Sequence, residues 1–99
     1  PRTSLPSNYS WSETYLMRYG GHMNVQAYIL IQTDVGKASS VTAAIAAIPG
    51  VTLAEGITGP YDVIMRAEAS TMEEFGRLIL SKVQAVPGIT RTLTCPVTG

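Results

Sequence analysis

The sequence predicts an α+β chain of the ferredoxin-like type: a four-stranded antiparallel sheet with two helices on one of its faces, in the order βαββαβ. Three observations predict it. Four apolar runs of strand length alternate with two runs of helical period in that order. Ile48-Pro49-Gly50-Val51 returns as Val86-Pro87-Gly88-Ile89, each time where a helix-like run passes into a strand-like one. Between the two β-α-β halves lies Thr58-Gly59-Pro60-Tyr61-Asp62, a tight reversal flanked by apolar runs. Right-handed crossovers then place both helices on the same side of the sheet.

Residues 1–24 stand apart from this pattern. Tyr9, Trp11, Tyr15 and Tyr19 are four of the seven aromatics in the chain. Ser10 and Glu13 have the spacing of a capping box. A short helix from Trp11 to Tyr19, stopped by Gly20-Gly21, would set Trp11, Tyr15 and Tyr19 on one face. Such a helix is too short to stand alone, so docking on the domain or on a neighbour is expected. Gly21-His22-Met23 also reads as a cloning junction before an initiator methionine, which leaves residues 1–22 as either native or vector-derived. His22 is the only histidine, and no Cys or His is spaced to share a metal with it.

The first strand runs from Asn24 to Thr33. Val25, Ala27, Ile29 and Ile31 form an apolar face, and Gln26, Tyr28, Leu30 and Gln32 a mixed one. Tyr28 and Leu30 in the middle of that mixed face point to cover by another subunit. The first helix spans Gly36 to Ile48, with Ala38, Val41, Ile45 and Ile48 on its buried stripe and Pro49-Gly50 as its stop. The second strand, Val51 to Thr58, is expected to turn Val51, Leu53 and Ile57 one way, with Glu55 on the same side and a bulge or bend at Gly56.

The third strand, Asp62 to Ala69, sends Val63, Met65 and Ala67 inward and Ile64, Arg66 and Glu68 outward. Ser70 or Thr71 starts the second helix, since Ser70 with Glu73 and Thr71 with Glu74 both have the capping-box spacing. Phe75, Ile79, Val83 and Val86 form its buried stripe, and Pro87-Gly88 ends it. The last strand, Ile89 to Cys95, is expected to set Ile89, Leu93 and Cys95 on one face and Thr90, Thr92 and Thr94 on the other.

Composition narrows the function classes. Ninety-nine residues allow one domain. A chain this short buries only roughly 60–70% of its unfolded surface, so association would help it. Hydrophobic residues make up 45% and charged ones 14%, a thin charged coat that points to apolar surface meeting a partner. Seven basic side chains cancel seven acidic ones, which removes the bulk electrostatic case for nucleic acid or an anionic membrane. Cys95 is the only cysteine, so no intrachain disulfide forms, in keeping with a reducing cytoplasm. The apolar runs fall well short of the ~20 residues that span a bilayer.

The residues form no recognisable catalytic constellation and call for no cofactor. The lone His22 has no nucleophile spaced for it. Cys95, at a strand end before Pro96, reads as a small buried hydrophobe, and Glu73 and Glu74 read as capping residues. What remains is the hairpin. Gly59 permits close approach of a ligand, and Asp62 places a carboxylate beside free backbone donors, a set able to hold both charged ends of an amino acid. Asp62 equally suits a role in stabilising its own turn. Tyr61 suits packing, and the threonines Thr90, Thr92 and Thr94 either offer hydroxyls or simply favour a strand.

Residues 25–97 resemble the effector-binding domain of the Lrp/AsnC transcription regulators, also called the RAM domain. The resemblance rests on Ala27-Tyr28-Ile29-Leu30-Ile31, on Ile48-Pro49-Gly50-Val51, on Thr58-Gly59-Pro60-Tyr61-Asp62-Val63, and on Val86-Pro87-Gly88-Ile89 with its Thr-rich strand. It implies dimers formed sheet to sheet, here through Tyr28, Leu30 and Ile64. It also implies octamers built as tetramers of dimers, and an amino-acid effector bound between subunits. The ligand residues it implies are Gly59, Tyr61 and Asp62, to which the hydroxyl of Thr92 in the last strand is added as a candidate from its residue type. Family regulators place a helix-turn-helix domain ahead of this module. Residues 1–24 are too short for one, so the resemblance implies a module without direct DNA binding that either senses an effector itself or co-assembles with a full-length regulator.

Two other readings compete. Dimeric α+β barrels of this topology include small monooxygenases and isomerases, a reading that needs a polar group inside, and Glu55 is the one inward candidate. A pure assembly domain would share the oligomer and bind no ligand.

Overall fold

The computed structural model describes residues 24–98; the aromatic helix expected over Trp11 to Tyr19 lies outside them. The strands are β1 (Val25–Thr33), β2 (Val51–Gly56), β3 (Val63–Ala69) and β4 (Ile89–Pro96). The first helix, α1, is Ala38–Ala46. Three contiguous helical segments, Met72–Glu74, Phe75–Leu80 and Ser81–Gln84, make up the second helix, α2. The four strands form one antiparallel sheet in the order β2-β3-β1-β4. This is the expected ferredoxin-like arrangement.

The core lies between the sheet and the helices. Ala27, Ile29 and Ile31 from β1 and Val63, Met65 and Ala67 from β3 are fully buried there. Val41, Ile45 and Ile48 from the first helical stripe meet them, as do Phe75, Ile79 and Val83 from the second. Thr71 caps α2: its hydroxyl accepts from the Glu74 amide at 3.0 Å. The middle of α2, Phe75–Leu80, is wound as a π-helix. Phe75, Ile79 and Val83 recur every four residues, which drifts about 40° per step on an ordinary 3.6-residue turn. The wider turn offsets that drift and keeps all three on the core.

Two β-bulges correct the expected faces of the outer strands. Val51 pairs with Ala67, but Leu53 pairs with Arg66, so Thr52 is an extra residue in β2. Inward-facing Val51 is therefore followed by inward-facing Ala54, and Leu53 and Glu55 turn to the face away from the helices. Gly56 ends the strand rather than bending it. In β4, Gln32 pairs with Arg91 and Thr33 with Ile89, so Thr90 is the extra residue. Ile89 thus packs on the core with Thr92 and Thr94 on its side of the sheet, while Leu93 and Cys95 face outward. Cys95 is exposed, not buried.

The internal echo in the sequence is an echo in space. Ala47 and Ala85 end their helices with the same backbone, φ −86° with ψ −6° and −7°. Gly50 and Gly88 follow at φ 100° and 98°. Each glycine carbonyl then accepts an amide from elsewhere, Glu68 at 2.9 Å and Asp34 at 2.8 Å. Each exit is completed by the bulged threonine. A Cβ on Gly50 would lie 3.0 Å from Ile79 Cδ1 and 3.1 Å from the Glu68 carbonyl oxygen, so both the φ and the packing require glycine.

Candidate functional site

The hairpin between β2 and β3 is held to the end of β1 at four points. The Ile57 amide donates to the Asp62 carbonyl at 2.9 Å and closes the turn, and the Asp62 amide donates to the Ile31 carbonyl at 2.8 Å. The Asp62 carboxylate accepts from the Thr33 amide at 2.8 Å, with the Thr33 hydroxyl at 3.4 Å, both on Oδ2. Gln32 Nε2 donates to the Pro60 carbonyl at 2.8 Å. The role of Asp62 as a stabiliser of its own turn is thus visible in the structure. It acts by strapping the turn to β1 rather than by bonding within it.

Gly59 sits at the exposed tip with φ 139°. No described residue accepts from the amides of Thr58, Gly59 or Tyr61, which leaves these donors unpaired in the same turn as a partly buried carboxylate. Tyr61 is half-buried at the base of the turn. Thr92 is placed differently. It is in register with Ile31 on the far side of β1 and belongs to the helix-side face. Within one protomer the structure therefore brings Gly59, Tyr61 and Asp62 together, and leaves Thr92 about two strand spacings away, roughly 10 Å. Gln32 and Thr33 are the positioning residues that the sequence reading missed. Gln32 read only as a polar member of the mixed face.

The second surface is the sheet face away from the helices. Directly paired residues share a face, so the register defines transverse rows. One row is Glu55, Ile64, Leu30, Leu93, and the next is Leu53, Arg66, Tyr28, Cys95. Tyr28 and Leu93 are 37% and 46% exposed, and Leu30, Ile64 and Leu53 are half-buried. The three expected contact residues, Tyr28, Leu30 and Ile64, are therefore neighbours on one apolar patch. Arg66 interrupts it. Its guanidinium donates to Gln26 Oε1 and lies 5.6 Å from the centre of the Tyr28 ring, and Gln26 Nε2 reaches Glu68 Oε2 at 3.3 Å.

Glu55 lies on this outer face, exposed, and not in the interior. The inward polar group that the barrel-enzyme reading needed is therefore not supplied by Glu55. The described residues hold no group of three His, Cys, Asp or Glu placed for a metal, and no described helix is long and apolar enough to cross a membrane. A shallow groove of about 490 Å³ runs beside α1, lined by Ala38, Ser39, Thr42, Ala43, Ala46 and Gly56. Its only side-chain polar groups are two hydroxyls, and that of Thr42 bonds its own helix at the Ala38 carbonyl, 2.7 Å away.

The described residues thus form a ferredoxin-like sandwich with a strapped hairpin at one end and an apolar sheet face on the side away from the helices. Residues 26–99 match the Lrp/AsnC ligand binding domain, and the chain belongs to that family. An uncharacterised HTH-type transcriptional regulator of Pyrococcus horikoshii, PH1916, is 32% identical over 76 residues, 74% of this chain and 51% of the relative. The chain thus spans about half the length of the curated regulators it matches. A homocitrate synthase of Sulfurisphaera tokodaii is 32% identical over 72 residues, which is 72% of this chain but 15% of the enzyme. Among solved structures, FFRP-DM1 is 32% identical with a TM-score of 0.70, covering 75% of this chain and 99% of that one. The regulator NMB0573 of Neisseria meningitidis, solved with L-Met, shares the fold at a TM-score of 0.69 and 19% identity, over 82% of this chain and 54% of that one.

Proposed function

We propose that this chain is an effector-binding and oligomerisation module whose working unit is a sheet-to-sheet dimer, and whose effector is an amino acid held at the Gly59–Asp62 hairpin. The observation that carries the reading is the outer sheet face, where Tyr28, Leu30, Ile64 and Leu93 adjoin in register and no described element of the protomer packs over them. Sheets of this kind bury such a face against another sheet. The unpaired amides of Gly59 and Tyr61 suit a carboxylate, and Asp62 suits an ammonium group. Thr92 enters the site from a neighbouring subunit, since β1 separates it from the hairpin of its own. Dimers assemble further into an octamer, alone or with a full-length regulator, in the cytoplasm, and the module itself does not touch DNA.

The likeness to a small part of a homocitrate synthase supports sensing as the shared task, because the same module then accompanies two unrelated bodies. Thermal unfolding in the presence of each of the twenty amino acids, with mass followed by light scattering, tests the proposal. A ligand that binds only the folded state raises the midpoint once its concentration exceeds Kd. A shift for one amino acid, or a few related ones, is expected. A stable oligomer whose midpoint no amino acid moves would make this a pure assembly domain.

A further inference from the structure

Arg66 lies in the middle of the apolar face, between Leu53 and Tyr28 in its row and beside Ile64 and Glu68 on its own strand. Gln26 and the Tyr28 ring hold the far end of its guanidinium. Its Nε is buried and has no hydrogen-bond partner among the described residues. A guanidinium is a charged donor with no acceptor capacity, and a buried donor left unmade is costly. Among the described residues its side-chain acceptor is the neutral Gln26, whose amide in turn reaches the Glu68 carboxylate. Glu55 is the opposite case. It shares the face, one strand outward and one row along, is exposed, and takes part in no salt bridge among the described residues.

We propose that Arg66 pairs with Glu55 of the partner subunit across the sheet face, and that this crossed pair selects a second copy of this chain as the occupant of the face. The inference rests on the sheet-to-sheet reading above. The face carries Arg66 and Arg91 against Glu55 and Glu68, so it is balanced and can complement itself. An isologous contact occurs twice. A two-fold axis perpendicular to the strands, running between the Leu30 row and the Tyr28 row, lays each row over the other. Tyr28 then covers the partner's Leu30, Cys95 covers the partner's Leu93, and the partner subunit's Glu55 comes to rest one strand spacing from Arg66. Sheets pack about 10 Å apart and strands about 4.8 Å, a gap that an arginine and a glutamate span together. A relative that lacks an acid at this position would leave Arg66 buried and unpaired.

Charge exchange tests the pair in the full chain by native mass spectrometry. Arg66→Glu alone and Glu55→Arg alone put like charges at both contacts, and each is expected to raise the dimer Kd at least tenfold. An equimolar mixture of the two variants restores opposite charges at both contacts, and heterodimers are expected well above the statistical half. Glu55→Gln, at an exposed position that the fold does not use, should raise Kd several-fold and flatten its salt dependence. Leu30→Glu serves as the control for the face. If it abolishes the dimer while the mixture stays at 1:2:1 and Glu55→Gln leaves Kd and its salt slope unchanged, the charge pair is overturned and the sheet interface stands. If Leu30→Glu leaves the mass unchanged, the sheet interface falls and the pair with it.

Discussion

The amide of Thr33 donates to Asp62 Oδ2 at 2.8 Å, so the carboxylate of the hairpin is also the strap that fastens it to β1. In the proposed site the same side chain would also meet the ammonium group, and comparing two substitutions separates the two roles. Asp62→Asn keeps an acceptor for Thr33 and removes the charge. It should cost less than about 1 kcal/mol of stability yet weaken amino-acid binding by calorimetry, whereas Asp62→Ala should lose the strap as well, about 1–3 kcal/mol in urea unfolding. Undiminished affinity in Asp62→Asn would remove the carboxylate from the site.

Leu30 and Ile64 are cross-strand partners at the centre of the outer face. Leu30→Glu or Ile64→Lys should leave the fold intact, since neither reaches the helix-side core, and should shift sedimentation from dimer to monomer. An unpaired charge in a buried interface costs several kcal/mol in order of magnitude. A profile identical to the parent would locate the interface elsewhere.

Gly50 and Gly59 both hold positive φ, but only Gly50 is crowded. A Cβ on Gly59 meets nothing within 4 Å, while one on Gly50 meets the Glu68 carbonyl oxygen and Ile79. Gly59→Ala should therefore cost about 1–2 kcal/mol for backbone strain alone. Gly50→Ala should cost more, because a backbone carbonyl cannot yield as a side chain does. Equal urea midpoints for the two variants would contradict this ranking.

Thr71 is the one side chain that caps α2 at its start. Thr71→Ala should lower stability by about 1 kcal/mol, and Thr71→Ser should recover most of it. Ser70 has the same spacing to Glu73 that Thr71 has to Glu74, so sequence alone left the cap between them; a loss on Ser70→Ala equal to that on Thr71→Ala would show that the cap is shared.

The inner faces of β1 and β3 were legible because their apolar residues alternate without interruption from Ala27 to Ile31 and from Val63 to Ala67. β2 and β4 were not. One inserted residue exchanges the two faces of everything beyond it, and Thr52 and Thr90 carry no mark that separates an extra residue from an ordinary strand position. Glu55, Leu93 and Cys95 changed sides for that reason. The π-wound middle of α2 was hidden because Phe75, Ile79 and Val83 form a plausible stripe on either kind of turn. At the hairpin the sequence named the turn residues. The far half of the strap, Gln32 and Thr33, lay 28 and 29 positions away from its partners and could not be paired without the register.

Thr52 and Thr90 bring a consequence for how the protein avoids sticking to itself in the wrong way. The strands they interrupt are the two borders of the sheet, where unpaired amides and carbonyls invite an additional strand from any passing chain. A bulge bends and over-twists the border it lies in, so a flat fifth strand finds no straight template at either side. Fibril-like growth is thereby discouraged at both borders alike. The repeated Ala-Ile/Val-Pro-Gly-Val/Ile-Thr exit thus places the same safeguard on both flanks of the sheet.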